Sequence, residues 1–370
     1  MKYKHFKQAL LFKVGSVIIF MKKKVIFFIP SNCGGAERQA IVISRCLDDE
    51  TFDVSYHIFG PKNQLQKFIP SNRKLIFHCE PKFTHNLISN MRNVIKAEKP
   101  DVVYGAEMPV NWRLVIAAIG CKCKIILRND NYLYTQNFLQ KFRLALTYPF
   151  ANYIIAQTDE MRNGMIAGLH LRKSLVQTVS NAIDKQYIAK CILDKNPYNN
   201  DKHTRFVAVG RFNAIKGFDM LVRAFKIVKT QLPNAELYIV GDYKEDNPVY
   251  QDINKFVLDN GLNGSVYCTG FKDNPYVYMQ NADCYVLSSR NEGLPNVMIE
   301  ALYLGTPVAA FKCIPVIERI VSEGNTGYLA GKENIEELAE AMIKASKLGR
   351  IETTYKLNTE EKFVEIFRQV

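Results

Sequence analysis

Short runs of Val, Ile and Phe alternate with stretches of helical periodicity along this chain, and the alternation stops and restarts near the middle. A strand followed by a helix returns parallel to its predecessor, so the pattern builds wound parallel sheets from βαβ units. The first series predicts strands at residues 25–29, 54–59, 75–78, 102–104, 125–128 and 153–156, with helices such as 37–47 and 87–99 between them. The second predicts strands at 206–209, 237–240, 266–268, 284–287 and 308–311, and a helix at 218–231. The fold class is therefore α/β, with two Rossmann-like doubly wound domains facing a central cleft. Their predicted limits are a basic extension over 1–20, a first domain over 21–195, an Asn-rich linker over 196–203 and a second domain over 204–350. A terminal helix over 351–370 has the first domain as the surface to pack back on. Ligands of such sheets bind beyond the carboxyl ends of the strands, so the chemistry belongs to the loops that follow them.

Charge separates the two halves. The net charge is +13, of which residues 1–200 carry +15 and the remainder −2. A basic first domain prefers an anionic surface, phospholipid or nucleic acid, with a merely soluble basic surface as the plain alternative. No nucleic-acid-binding motif accompanies the charge, and neither half has a G-x-G-x-x-G after its first strand, which excludes a nicotinamide dehydrogenase. Nine cysteines without a C-x-x-C pair suit a reducing cytoplasm. The first 36 residues hold seven Lys and no acid. Their apolar stretch, 14–20, is too short to span a bilayer and runs into Lys22-Lys23-Lys24 instead of a cleavage site, so secretion is excluded. Phe6, Leu10, Val14 and Val17 form one side of a basic membrane-surface helix, or the extension is an upstream-start artefact and Met21 opens the first strand.

Three strand-end motifs carry chemistry. Gly34-Gly35 lets a ligand approach the start of a helix, although a tight turn needing positive φ explains the pair equally well. In Gly210-Arg211-Phe212-Asn213-Ala214-Ile215-Lys216-Gly217, two cations on one strand-to-helix loop can flank a diphosphate, Arg211 as a bidentate donor and Lys216 as a point charge. The third runs from Ser288 to Ala301: Pro295 suits the first turn of a helix, Glu292 lies in the loop before it and Glu300 about one and a half turns inside it. Two carboxylates so placed can accept hydrogen bonds from the hydroxyls of an extended ligand. The plain reading makes Glu292 a helix-dipole acid and Glu300 a surface residue.

The spacing Glu292-x7-Glu300, with the Gly-Arg-x4-Lys-Gly loop upstream, resembles the family 4 retaining glycosyltransferases of the GT-B fold. Gly-Gly-Ala-Glu-Arg in the first loop is similar to a branch common in surface-polysaccharide synthesis. The resemblance implies a sugar-nucleotide donor whose diphosphate is held by Arg211 and Lys216. Glu300 is implied to hold the ribose and Glu292 the transferred sugar. Gly210, Gly293, Leu294, Pro295 and Asn296 line the donor, and Gly35 approaches it from the other domain. Many relatives carry a histidine after the strand at 125–128; here Arg128, Asn129 and Asp130 stand there and become the acceptor-side candidates. No D-x-D motif occurs, and neither a metal nor another cofactor is implied. The expected enzyme is metal-independent, uses a front-face oxocarbenium-like mechanism and takes a UDP-sugar ahead of GDP-mannose. Its expected acceptor is a lipid-linked glycan, and its place is cytoplasmic, peripheral on the inner face of the plasma membrane, with no nucleic-acid partner. A non-catalytic sugar-nucleotide-binding subunit and a sugar-nucleotide 2-epimerase of the same fold are the alternatives.

Overall fold

Each series of alternating elements becomes a sheet of its own in the computed structural model. It describes residues 13–14, 17–18, 21–30, 34–62, 64–78, 86–198, 202–353, 355 and 359–370. A two-residue antiparallel ladder, β1 (Lys13–Val14) against β2 (Val17–Ile18), comes first. Val14 and Val17 are backbone partners in it, in extended conformation, which corrects the reading that placed both on a helix. Phe6 and Leu10 lie outside the described residues.

The first unit gathers Met1–Ala182 and Asn358–Val370. Its strands are β3 (Lys23–Pro30), β4 (Phe52–Phe59), β5 (Lys74–His78), β6 (Val102–Gly105), β7 (Lys124–Asn129), β8 (Tyr153–Ala156) and β9 (Val176–Thr178). They pair in parallel in the order β5-β4-β3-β6-β7-β8-β9. Because the order reverses at β3, the carboxyl ends of β3 and β6 form the switch point where such sheets bind ligands. Val25 to Ile29 are fully buried, which is why this strand reads as an unbroken apolar run. The helices are α1 (Gly35–Arg45), α2 (Asn86–Glu98), α3 (Met108–Ala118), α4 (Phe138–Thr147) and α5 (Asp159–Gly168). At one edge, His57 lies 2.9 Å from His78 and 3.2 Å from Glu98, whose carboxylate also meets Lys74 at 2.9 Å. Burial, opposed by the Glu98 charge, lowers the His57 pKa from 6.5 to about 4.

The second unit, Ile183–Leu357, begins at α6 (Lys185–Cys191). The boundary falls there because this segment bonds within the unit: Asn274 donates to Cys191 O at 2.7 Å, and Tyr198 to Tyr278 O at 2.8 Å. Residues 199–201, inside the Asn-rich segment, are outside the described residues. The strands are β10 (Arg205–Val209), β11 (Glu236–Val240), β12 (Val266–Gly270), β13 (Cys284–Leu287), β14 (Val308–Phe311) and β15 (Gly327–Ala330). They are parallel, in the order β12-β11-β10-β13-β14-β15, which puts the switch point between β10 and β13. The helices are α7 (Phe218–Gln231), α8 (Pro248–Asp259), α9 (Tyr276–Gln280), α10 (Asn296–Tyr303), α11 (Ile317–Ile320) and α12 (Ile335–Ala345). Helix α7 buries Phe218, Leu221, Phe225 and Val228 at helical spacing, each contributing about 1.5–3 kcal/mol. It stops before Pro233, since the residue preceding a proline is pushed out of the helical region.

Helix α13 (Glu360–Gln369) returns to the first unit. Phe363, Ile366 and Phe367 make its buried stripe, and Phe367 stacks on Phe27 at 5.7 Å between centroids. Lys23 Nζ donates to Phe367 O at 3.0 Å, so a cation satisfies carbonyls of the last turn. Among the described residues no helix is long and apolar enough to cross a membrane.

Candidate active site

Two loops of the second unit meet at its switch point, the one after β10 and the one after β13. The first is a turn of 3-10 helix, Ala214–Lys216, capped by Asn213, whose side chain accepts from Lys216 N at 3.1 Å. Gly217 follows at φ 63°, where any other residue is strained. A Cβ at Gly217 would also lie 2.0 Å from Ser288 O, so the two loops touch backbone to backbone only because this residue has no side chain. Ser288 Oγ donates to Lys216 O at 2.9 Å, and Arg290 N to Ile215 O at 2.7 Å. Arg290 then reaches across to Asp219 with a two-pronged ion pair at 2.8 and 2.6 Å. Burial alone would raise the Asp219 pKa, but the Arg290 hydrogen bonds and charge bring it below its usual value.

The polar product of this stapling is a pair. Lys216 Nζ donates to Glu292 Oε1 at 2.7 Å, and Ser289 Oγ donates to the same oxygen at 2.7 Å. The Lys216 stem lies over Gly210, where a Cβ would stand 3.2 Å from Lys216 Cε. Arg211 is exposed and makes no side-chain hydrogen bond or ion pair among the described residues, so the loop's two cations are in different states. Pro295 stands one residue earlier than expected: its ψ of 80° makes it the N-cap, and α10 begins at Asn296. Ahead of that N-terminus, the amides of Gly293 and Leu294 donate no hydrogen bond among the described residues. Such unsatisfied amides at a helix start suit an anion or a ligand oxygen. Glu300 lies within α10, its Oε1 accepting from Tyr276 at 3.4 Å. Burial first, then the charges of Glu292 and Glu300, push the Tyr285 phenol well above its ordinary pKa, so both carboxylates act on one buried ring. Among the described residues no three His, Cys, Asp or Glu side chains form a metal-ligating group.

In the first unit, Gly35 opens α1 and Gly34 caps it at φ −97°. Neither has positive φ, which removes the left-handed-turn explanation of the pair. Gly34 N instead donates to the buried Glu37 carboxylate at 3.1 Å, closing the helix start on itself. Arg128 is 1% exposed. Its Nη2 donates to Asn181 Oδ1 at 2.6 Å, while Nε and Nη1 have no partner among the described residues. Tyr104 Oη and Asp130 Oδ1 are likewise buried and unpartnered. Burial, with a contribution from Glu37, raises the Asp130 pKa against the pull of Arg128. Asn129 turns inward, Nδ2 donating to Asn131 O at 2.6 Å and Oδ1 accepting from Tyr148 at 3.5 Å, so it braces the strand end.

Family models match consecutive parts of the chain, Glycosyltransferase Family 4 over residues 33–187 and Glycosyl transferases group 1 over residues 192–364. The chain belongs to the family 4 glycosyltransferases. An uncharacterized glycosyltransferase of Methanocaldococcus jannaschii is 37% identical over 239 residues, 60% of this chain and 57% of the relative. The N-acetylgalactosamine-N,N'-diacetylbacillosaminyl-diphospho-undecaprenol 4-alpha-N-acetylgalactosaminyltransferase of Campylobacter jejuni is 21% identical across 91% of this chain and 93% of its own. Among solved structures, Anabaena HepE in complex with UDP and glucose superposes with a TM-score of 0.71 at 19% identity, covering 94% of this chain and 95% of HepE. The fold of this glycosyltransferase is thus GT-B, each unit supplying one of its Rossmann-like sheets.

Sequence reasoning missed several residues of the candidate site. Gly241, after β11, packs so tightly that a Cβ would meet Gly210 O at 1.8 Å. The strand-then-glycine pattern of Val209-Gly210 recurs at Val240-Gly241 and is the signal that could have found it. Tyr276 and the Arg290–Asp219 staple carried none, since each acts through a partner distant in sequence, whereas Ser289 lies only three residues before its partner Glu292.

Proposed function

We propose that this glycosyltransferase moves a hexose or N-acetylhexosamine from a nucleotide-sugar to a lipid-linked glycan, in synthesis of a capsule, O-antigen or exopolysaccharide. The observation that carries the donor site is the Lys216–Glu292 pair, held at the switch point beside two unsatisfied loop amides. As the bond from the sugar's anomeric carbon to the diphosphate breaks, negative charge grows on the departing oxygen. Lys216 and the Gly293 and Leu294 amides are oriented before that charge appears, which is the main way a site lowers such a barrier, and the Arg211 side chain, unpaired among the described residues, is left to close on the diphosphate. Glu292, anchored by Lys216 and Ser289, faces the transferred sugar, and Glu300 takes the ribose hydroxyls. No carboxylate in this arrangement is assigned as a nucleophile; the acceptor hydroxyl enters on the face the diphosphate leaves and passes its proton to the departing diphosphate oxygen, so configuration is retained without a metal.

UDP is the favoured nucleotide, supported by the UDP complex of HepE. A lipid-linked acceptor is supported by the Campylobacter enzyme, whose name specifies a diphospho-undecaprenol-linked sugar. In the first unit, the unpartnered groups of Arg128, Tyr104 and Asp130 are the acceptor-side contacts, because buried polar groups left unpaired by the protein await a ligand or water. The basic charge of the first 200 residues supports a peripheral place on the inner membrane face. Calorimetric titration of the chain with UDP, GDP and ADP in EDTA tests the donor reading. Micromolar binding of UDP is expected, weakened by about 1–3 kcal/mol in Glu300→Ala. Binding of none of the three sinks the assignment.

A further inference from the structure

Helix α4 carries its apolar residues on the outside. Of its side chains only Leu144 and Thr147 are buried, whereas Phe138, Leu139, Phe142 and Leu146 are each more than half exposed, Phe138 at 84%. At about 100° per residue these four fall within an arc of about 100°. Lys141 lies about 60° beyond Phe138 on one side, and Arg143 about 40° beyond Leu139 on the other. Tyr134 and Phe150 add exposed rings before and after the helix. Half of the exposed large apolar side chains among the described residues therefore cluster in residues 134–150, while the others are dispersed along the sequence.

The charge along this segment has one sign. No Asp or Glu occurs from residue 131 to residue 158. Beside the stripe, Arg113 of α3 and Arg143 of α4 both lie over the Trp112 ring, at 4.2 and 5.2 Å. Burial and then the Arg143 charge lower the Arg113 pKa, the mark of two cations held close. A partner bearing negative charge relieves that repulsion. A second copy of the chain, docked symmetrically, would bring the same cations together with no carboxylate from this segment to answer them.

We propose that this face of α4 docks on an anionic phospholipid bilayer. The rings and leucines enter the boundary between headgroups and acyl chains, and Lys141, Arg143 and Arg113 meet lipid phosphates. The inference deepens, and for its purpose rests on, the reading of the acceptor as a lipid-linked glycan.

The test is cosedimentation of the full chain with phosphatidylcholine vesicles, with and without phosphatidylglycerol. It is run beside the Phe138→Ser/Phe142→Ser and Lys141→Gln/Arg143→Gln variants. The wild type is expected to bind only vesicles containing phosphatidylglycerol, and each double variant to lower that partition about tenfold or more. UDP affinity and thermal midpoint should stay unchanged, which shows that the variants fold. A wild type that does not cosediment overturns the proposal, and so does undiminished binding by the Phe138→Ser/Phe142→Ser variant. A wild-type dimer that ignores vesicles and becomes a monomer in that variant overturns it in favour of a homotypic interface. Vesicle binding by a chain that binds no nucleotide supports the docking face and sinks the donor reading alone.

Discussion

The two units share one winding scheme and handle charge in opposite ways. At the switch point of the second unit, two cations are answered by carboxylates: Lys216 by Glu292, Arg290 by Asp219. At the ends of β6 and β7 in the first, Arg128 is buried with two of its nitrogens unanswered, beside an unpartnered Tyr104 hydroxyl and a carboxyl whose pKa burial has raised. A self-satisfied pair is stable before its ligand arrives and can exchange one partner for a phosphate. An unsatisfied buried cation is costly until something fills the gap. The first arrangement suits a donor that brings its own two charges, the second an acceptor that brings hydrogen-bonding groups.

The largest expected effect tests the paired side. Lys216→Ala should lower turnover about 100- to 1,000-fold while leaving the fold in place, and steady-state kinetics beside a melting curve checks both. Next comes the glycine that lets the loops meet. Gly217→Ala should cost about 2–4 kcal/mol in urea unfolding, because it combines a left-handed backbone with a contact against Ser288 O. An unfolding midpoint equal to wild type would mean the loops can part without penalty.

Acid should separate the units. His57 is held neutral in the fold, with a pKa of about 4 against 6.5 when unfolded. The stability it contributes is present above pH 6.5 and is lost as pH falls towards 4, by about 2–3 kcal/mol. Asp219, also depressed, gives up its contribution only as pH falls below its ordinary 3.8 and through its lowered folded value. Hydrogen exchange followed from pH 7 to 4 should therefore show β4 and β5 loosening before β10 and β13. Simultaneous loosening would remove the contrast. The smallest effect belongs to Arg128→Met, which should change stability by no more than about 1 kcal/mol and leave UDP affinity alone while raising the acceptor KM. Weakened UDP binding in that variant would move Arg128 out of the acceptor role.

Much of this architecture was legible, and the omissions have a cause. Residues 153–156 and 284–287 match β8 and β13 because strands buried on both faces write continuous apolar runs. Within the two parallel sheets the strands not anticipated, β9 and β15, are the outermost, beyond β8 and β14. Val-Gln-Thr and Gly-Tyr-Leu-Ala offer too few apolar residues to register. Both loops of the proposed donor site announced themselves by following strands. Their meeting did not, since Lys216 and Glu292 are 76 residues apart and become neighbours only through the placement of β10 beside β13. The burial of Arg128 was equally hidden, because a charged residue at a strand end reads as solvent-facing until α3 and the segment around Asn181 close over it.

The return of α13 gives the chain an unusual order of assembly. On a ribosome the second unit emerges as one continuous stretch and can close its sheet while the first, though translated earlier, still lacks the stripe that covers Phe27 and Tyr104. Synthesis normally lets the leading domain fold first. Here the leading sheet waits with an uncovered apolar patch until Phe363, Ile366 and Phe367 have left the exit tunnel, a window in which chaperone capture competes with completion.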